Sequence, residues 1–398
     1  MRDTLGVLLA GGAGERLFPL TRDRAKPAVP FAGQYRIIDI TLSNCINSDL
    51  RHIYILTQYK ALSLNRHIRE GWGPVVANEL GEFIEILPPM QRVSKSWYQG
   101  TADAVYQNIY SIGAEEPRHV LILSGDHIYK MNYGLMLKQH SDSAADVTLA
   151  TLPIRPEEVS RFGVVEVAHN GEVTGFVEKP KSTDILLPEL MKDAEDPGSS
   201  HDFGHDILPK LLGRFKMCAY NFVDENKQRA LYWRDVGTLE AYYEANMDVA
   251  GVSPIFNLYD KTWPMRTRPY QYPPAKFVFG EPGRTGMAIN SIIAAGSIIS
   301  GSVVRNSVVS QDVRVNSYAD VDSSIIFSHV NIGRHCRVRH AIIDRDVHIP
   351  DGTVIGYDPN EDKKNYFVSE SGLTIVTRDY SVYENPVSPE FLQQGNHW

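Results

Sequence analysis

The sequence predicts a doubly wound, mostly parallel α/β domain followed by a parallel β-helix. Three observations predict this: short apolar runs alternate with helical patterns through about Ala250, a proline-rich stretch follows, and an aliphatic period of 17 residues then begins at Ile292. At 398 residues the chain exceeds what one core commonly organises. The expected division is 1–251 for the α/β domain, 252–284 for a linker, and 285–398 for the β-helix with its C-terminal tail.

Within the first domain, the runs Gly6–Ala10, His52–Thr57 and His119–Leu123 have the length and apolarity of strands covered on both faces. Arg36–Asn47 and Thr101–Ile112 read as helices between them. Strands that alternate with helices in this way form parallel sheets. The stretch from Pro254 to Pro282 holds six of the 23 prolines, which suits a connector without regular structure.

Beyond it, aliphatic residues stand at Ile292, Ile298, Val304, Val309, Val315, Val321, Ile326, Ile332, Val338, Ile343, Ile349 and Ile355, in steps of 6, 6 and 5. A helix needs spacings of 3 and 4 and a flat strand needs 2, so neither accounts for the pattern. A three-sided coil with one inward residue per side does. Gly296, Gly301, Gly333 and Gly352 are expected at its corners.

Composition narrows the function. The chain is 43% apolar and 22% charged, an ordinary globular balance, and its net charge of −8 argues against nucleic acid or an anionic membrane as principal partner. Three widely separated cysteines form no metal-ligand spacing and favour a reducing compartment. Leu5–Ala10 is too short for the apolar region of a secretory signal, so a cytoplasmic location is expected.

An acidic protein that binds an anion must concentrate cations locally. The first strand runs into Gly11, Gly12 and Gly14, where the backbone can approach a phosphate and direct amide donors at it. Residues 11–36 also carry Arg16, Arg22, Arg24, Lys26 and Arg36 against Glu15 and Asp23, a local net charge of +3. Neither a dinucleotide fingerprint nor a P-loop fits, because Leu17 occupies the third glycine position and no Gly-Lys-Ser/Thr follows. Asp126, at the end of a buried strand, and Asp235, in Trp233-Arg-Asp-Val-Gly237, offer two carboxylates for one magnesium ion shared with substrate phosphates. Glu178 and Lys179 stand at a strand end before Pro180. His127, His201 and His205 are assigned no chemistry, and Trp97 and Tyr98 suit a pocket wall.

Several stretches in this order resemble one family. They are Gly11-Gly-Ala-Gly-Glu-Arg-Leu17, Arg24-Ala-Lys-Pro-Ala-Val29, Tyr35-Arg-Ile-Ile-Asp39, Leu42-Ser-Asn-Cys-Ile-Asn-Ser48, Trp97-Tyr-Gln-Gly-Thr-Ala-Asp-Ala-Val105, Ser124-Gly-Asp-His-Ile-Tyr129, Val177-Glu-Lys-Pro180, Ser200-His-Asp-Phe-Gly204 and Trp233-Arg-Asp-Val-Gly237. Together they resemble the bacterial ADP-glucose pyrophosphorylases, or glucose-1-phosphate adenylyltransferases, over nearly the whole chain. The resemblance implies a nucleotidyltransferase-like domain joined to a left-handed β-helix. It also implies the reaction of ATP with α-D-glucose 1-phosphate to give ADP-glucose and pyrophosphate, the committed step of bacterial glycogen synthesis. By position, Asp126 and Asp235 would hold Mg²⁺, and Arg16 and Lys26 would neutralise the triphosphate. Tyr98, Gly163, Glu178 and Lys179 would grip the sugar phosphate, and Gln58 and Gly100 would lie at the adenine. Members are commonly homotetramers under allosteric control, and Arg24, Arg36 and Arg345 would form an anion site between the domains.

Two departures from the family pattern stand out. After Lys181 the chain passes almost directly to Ile185-Leu-Leu-Pro188, where the family has a further strand with a serine that lines the sugar pocket. Asp23 stands where some relatives activated by fructose bisphosphate have lysine, and Pro30 replaces a histidine, which weakens the case for that activator; fructose 6-phosphate or pyruvate remain open, as does inhibition by AMP or phosphate. The competing readings are a pyrophosphorylase for another base or sugar, a silent regulatory subunit, and an acyltransferase built on the β-helix.

Overall fold

The structure, a computed structural model, describes all residues other than 2, 13, 90–96, 154–162, 179–198, 228–230 and 379–398. The shortened segment after Lys181 lies outside the described residues, as does Lys179 itself.

Four parallel strands form the central sheet in the spatial order Phe83–Leu87, His52–Leu56, Thr4–Leu9, His119–Ser124. The connections run outward in one direction from Thr4–Leu9 and then reverse, which opens a crevice at the carboxyl ends of Thr4–Leu9 and His119–Ser124. Val147–Thr151 pairs in parallel with Met217–Asn221. His127–Tyr129 pairs antiparallel with Trp233–Asp235, and Gly163–Val167 forms a hairpin with Val173–Glu178. The expected first helix is present as Ile37–Asn47, with Asp39 accepting the Arg36 backbone N–H at 2.8 Å. The expected second helix is divided into Thr101–Gln107 and Ile109–Ala114. It breaks at Asn108, whose Nδ2 donates to the Ala104 carbonyl at 2.8 Å and to Tyr98 Oη at 2.8 Å.

The C-terminal domain is a three-sided coil of parallel strands. Ten of the twelve expected inward residues, Val304 through Ile355, line its core. The first two positions are corrected by one residue: Ile293 and Ile299 turn inward rather than Ile292 and Ile298. The cause is a first turn one residue shorter, since Ile293 pairs with Val309 whereas Val309 pairs with Ile326. Corners carry left-handed residues at Asn306, Asp312, Tyr318, Ser323, His329, His335, His340 and Asp346, as well as at Gly296, Gly301 and Gly352. Gly333 differs from expectation. It has no positive φ, and a Cβ there would lie 2.6 Å from the Asp351 nitrogen, so close stacking of neighbouring turns requires it.

The doublets 292–293, 308–309, 325–326 and 342–343 place one aliphatic residue inside the coil and its neighbour against the α/β domain. Val308, Ile325, Ile342 and Ile375 meet Leu17, Leu20, Ile37, Leu239 and Tyr242 in one continuous core. The helix Leu239–Ala250 lies between the domains: Tyr242 Oη donates to the Pro30 carbonyl and Tyr243 Oη to the Ser323 carbonyl at 2.7 Å.

The expected linker is a packed strap. Trp263 and Met265 are buried, and the strap is gripped by polar residues at helical spacing on Ile37–Asn47. Asp39 accepts from Thr267 Oγ1 at 2.6 Å, Ser43 Oγ accepts the Arg266 N–H at 2.8 Å, and Asn47 Nδ2 donates to the Pro264 carbonyl at 2.9 Å. The coil also begins earlier than expected, because Lys276–Val278 already pairs with Ile298–Ser300. Among the described residues no helix is long and apolar enough to cross a membrane.

The two sides of each doublet separate experimentally. Ile326→Ala, which leaves a cavity inside the coil, is expected to cost about 2–5 kcal/mol. Ile325→Asp is expected to undock the domains, read as faster proteolysis within the strap 254–275 while the coil itself stays folded.

Candidate active site

A cleft of about 760 Å³ opens at the crevice between the first and fourth strands. Its floor is the turn after Thr4–Leu9. Gly14 adopts φ 68°, and a Cβ there would stand 3.0 Å from Lys26 Cβ, so glycine is what lets the Lys26 stem approach. Gly12 has open space where a Cβ would project, and Gly11 lies against Gln58. Arg16 is exposed at the mouth. The Thr21 hydroxyl closes the turn by donating to the Gly14 carbonyl at 2.8 Å.

The two aspartates of the sequence reading converge here. One ligand atom from each of Asp126, His127 and Asp235 lies within 4.8 Å of the others. Lys26 Nζ sits between the carboxylates, 2.7 Å from Asp126 Oδ2 and 3.4 Å from Asp235 Oδ1. The antiparallel pairing that sets Asp235 opposite His127 brings these distant stretches together. Gly237 keeps the corner open: a Cβ on it would meet Asp235 Oδ2 at 2.9 Å and Arg16 Nη2 at 3.3 Å. Burial pushes the Asp126 carboxyl up, but His127, the Lys26 ammonium and a hydrogen bond from the Ser124 hydroxyl outweigh it and hold it at about 2. The group is therefore an anion at any physiological pH. Two carboxylates with an imidazole beside them, on the edge of a cleft open to phosphates, fit a divalent cation.

The remaining candidates are distributed unevenly. Gln58, Tyr98 and Gly100 line the cleft. Tyr98 does so as a buried wall, however, with its hydroxyl taken by Asn108 Nδ2 at 2.8 Å. Gly100 is required by packing, because a Cβ there would lie 2.1 Å from the His201 carbonyl oxygen. Gly163 pairs with Glu178 in a separate hairpin and does not line the cleft. Sequence reasoning missed His127, treated as structural, and Asp202, which borders the cleft and accepts from Thr101 Oγ1 at 2.9 Å. The Ser200-His-Asp-Phe-Gly204 run was the signal available for Asp202.

A second cationic cluster lies at the domain interface. Arg24 is buried and donates through Nη2 to both Asp344 oxygens, at 2.8 and 2.9 Å, while its Nε and Nη1 have no hydrogen-bond partner among the described residues. Arg36 donates from Nη1 to the Ser63 carbonyl and hydroxyl at 3.0 and 2.9 Å. Burial lowers the Arg36 guanidinium below its ordinary value; Arg24 and Arg345 add to this, against Tyr270 and Asp39. Arg24 and Arg345 are thus each near enough to Arg36 to disfavour its charge.

Comparison with known proteins follows the same division of the chain. Residues 5–251 match the nucleotidyl transferase family and residues 273–376 match the GlmU-like C-terminal hexapeptide family. A glucose-1-phosphate adenylyltransferase of Koribacter versatilis is 67% identical over 414 aligned positions, covering 98% of this chain and 99% of that protein. Proteins of the same name from Rhodopirellula baltica and Methylococcus capsulatus are 51% and 47% identical, covering 98% and 95% of this chain and 92% and 94% of their own lengths.

The depressed Asp126 carboxyl makes a prediction about acid stability. Because its folded value lies below the ordinary 3.8, its contribution is complete above about pH 4 and is lost as pH falls toward about 2. The stability difference between wild type and Asp126→Asn, measured by urea unfolding, is expected to shrink over that window by about 2 kcal/mol.

Proposed function

The chain belongs to the nucleotidyl transferase family and, within it, to the glucose-1-phosphate adenylyltransferases, and from that premise we propose how its cleft carries out the reaction. The enzyme transfers the adenylyl group of ATP to α-D-glucose 1-phosphate, giving ADP-glucose and pyrophosphate. The observation that carries the assignment of roles is the convergence of Asp126 and Asp235 on one cationic position beside the glycine turn.

The phosphate oxygen of the sugar substrate attacks the α-phosphorus of ATP in line with the departing pyrophosphate, so the bond to the β-phosphate oxygen breaks as the new one forms. The nucleophile is already an anion, and no residue has to remove a proton from it. The protein's tasks are orientation and charge neutralisation. The backbone at Gly11, Gly12 and Gly14 receives the triphosphate, and Arg16 and Lys26 offset its charge and that of the leaving pyrophosphate. Gln58 and Gly100 border the adenine. Asp126 and Asp235 hold Mg²⁺, with His127 in reach as a third donor. Bound there, the ion neutralises and orients substrate phosphates. Gly163, Glu178 and Lys179 are assigned to the sugar phosphate; the hairpin that carries Gly163 and Glu178 must approach the cleft.

The interdomain arginines serve regulation. Among the described residues two buried Arg24 donor atoms lack partners, and an anionic phosphorylated metabolite would satisfy them while offsetting the charge that Arg24 and Arg345 present to Arg36. The enzyme is expected to act in the cytoplasm as a homotetramer.

Pyrophosphate release with glucose 1-phosphate is expected with ATP and to be at least about tenfold slower with UTP or GTP, a gap of about 1.4 kcal/mol in transition-state binding. Asp126→Asn is expected to lower kcat/KM by several kcal/mol of barrier, on the order of a thousandfold, while the protein stays folded by circular dichroism. Near-normal turnover of that variant in Mg²⁺ would remove Asp126 from the mechanism. Arg345→Ala is expected to lose its response to a panel of sugar phosphates, AMP and orthophosphate; an unchanged response would dismiss the interdomain site.

A further inference from the structure

The metal-bearing segment has no helix of its own. Ser124, Asp126 and His127 lie on a bend between the end of one strand and the start of another. The buried helix Ile37–Asn47 holds this segment through two side chains one turn apart, in addition to the Gly125 N–H bond to the Leu9 carbonyl and the pairing of His127–Tyr129 with Trp233–Asp235. At the near end, Thr41 Oγ1 donates to the Ser124 carbonyl at 3.0 Å, and the Ser124 hydroxyl in turn donates to Asp126 Oδ1. At the far end, Asn44 Nδ2 donates to the Tyr129 carbonyl at 3.0 Å, and Asn44 Oδ1 accepts the Met131 N–H at 3.3 Å. Asn44 and Thr41 are both fully buried.

The Asn44 amide can point only one way. Its oxygen also accepts the indole N–H of Trp263 at 2.8 Å. Indole and peptide N–H groups only donate, and a carbonyl only accepts, so a flipped amide would lose all of these bonds at once. Trp263 belongs to the strap that leads to the β-helix, so the strap fixes the amide that fixes the bend.

We propose that Thr41 and Asn44 are positioning residues for the metal pair: they clamp the two ends of the Ser124–Met131 bend so that the Asp126 carboxylate meets Asp235. The inference rests on the reading of Asp126 and Asp235 as the metal ligands. A residue that only stabilises the domain would lower the melting temperature and leave cation affinity alone. A positioning residue lowers cation affinity at temperatures where the protein is fully folded.

The discriminating readout is Mn²⁺ binding to the full-length enzyme without substrates, by water-proton relaxation, together with the Mg²⁺ concentration for half-maximal pyrophosphate release. Thr41→Val is expected to weaken Mn²⁺ binding by about tenfold and to raise the Mg²⁺ requirement in parallel, as loss of an outer-shell partner does in metal sites. Thr41→Ser, which keeps the hydroxyl, is expected to restore both. Asn44→Ala is expected to act like Thr41→Val. Ser43→Ala, on the same helix but facing the strap, is expected to lower the melting temperature without altering Mn²⁺ affinity. Should Asn44→Ala fail to fold, the Thr41 pair decides alone. Wild-type Mn²⁺ affinity in Thr41→Val, or an equal loss in Thr41→Ser and Ser43→Ala, overturns the inference. Asp126→Asn serves as reference: undiminished Mn²⁺ binding there removes the metal-pair reading and this inference with it, whereas weakened binding there with unchanged Thr41→Val overturns the clamp alone.

Discussion

The arrangement of the whole molecule turns on an electrostatic problem, two carboxylates brought close together beside a cleft meant for a polyanion. Asp126 and Asp235 would repel each other and any phosphate without a compensating charge. Lys26 supplies it, with its stem passing over Gly14 and its ammonium lying between the two acids. Charge compensation by His127 and Lys26, rather than loss of charge, keeps Asp126 ionised despite burial. Two nearby glycines serve the same end: the Cβ that Gly14 lacks is space for the Lys26 stem, and the one that Gly237 lacks is space for the Asp235 carboxylate.

Holding that arrangement in place falls to the helix Ile37–Asn47. Its apolar side chains belong to the two main cores of the α/β domain, Ile37 and Ile40 to the one shared with the β-helix and Ile38 and Leu42 to the one beneath the sheet. Most of its polar side chains are not exposed, as on an ordinary amphipathic helix, but buried and hydrogen-bonded to neighbouring segments. Asp39, Ser43 and Asn47 bind the strap, and Thr41 and Asn44 bind the segment that carries Asp126. Arg36, which caps the helix, belongs to the interdomain cluster. The same element therefore touches the strap, the segment on either side of Asp126 and the interdomain arginines.

Much of the architecture was legible in the chain. Period-17 spacing names a three-sided coil because a wrong number of residues per turn would put an aliphatic side chain in water, and ten of its twelve positions line the core. The one-residue displacement at Ile292 and Ile298 arose because a shortened first turn keeps an aliphatic residue at both positions of each doublet, so composition alone does not say which one turns inward. The doublets also carried an unread message, that one side of the coil is buried against another domain. Proline content suggested a free connector at 254–282. Proline removes backbone donors without preventing side chains such as Trp263 from packing, and the strap is docked at Phe256, Trp263 and Met265.

The chain by itself determined the elements whose signal is local or periodic: the strands, the glycine turn, the coil, and the residue types that divalent-ion and phosphate chemistry needs. Tertiary structure alone decided which of those residues meet. Asp126 and Asp235 are joined by an antiparallel pairing across more than a hundred residues, and Arg24 reaches Asp344 across the domain boundary. It also decided that His127 stands with the acids, that Tyr98 serves as a buried wall, and that Asn44 answers to both the strap and the site. The reason is that periodicity reports which face of an element is buried, whereas a site is made of contacts between elements, and those follow from packing the whole chain at once.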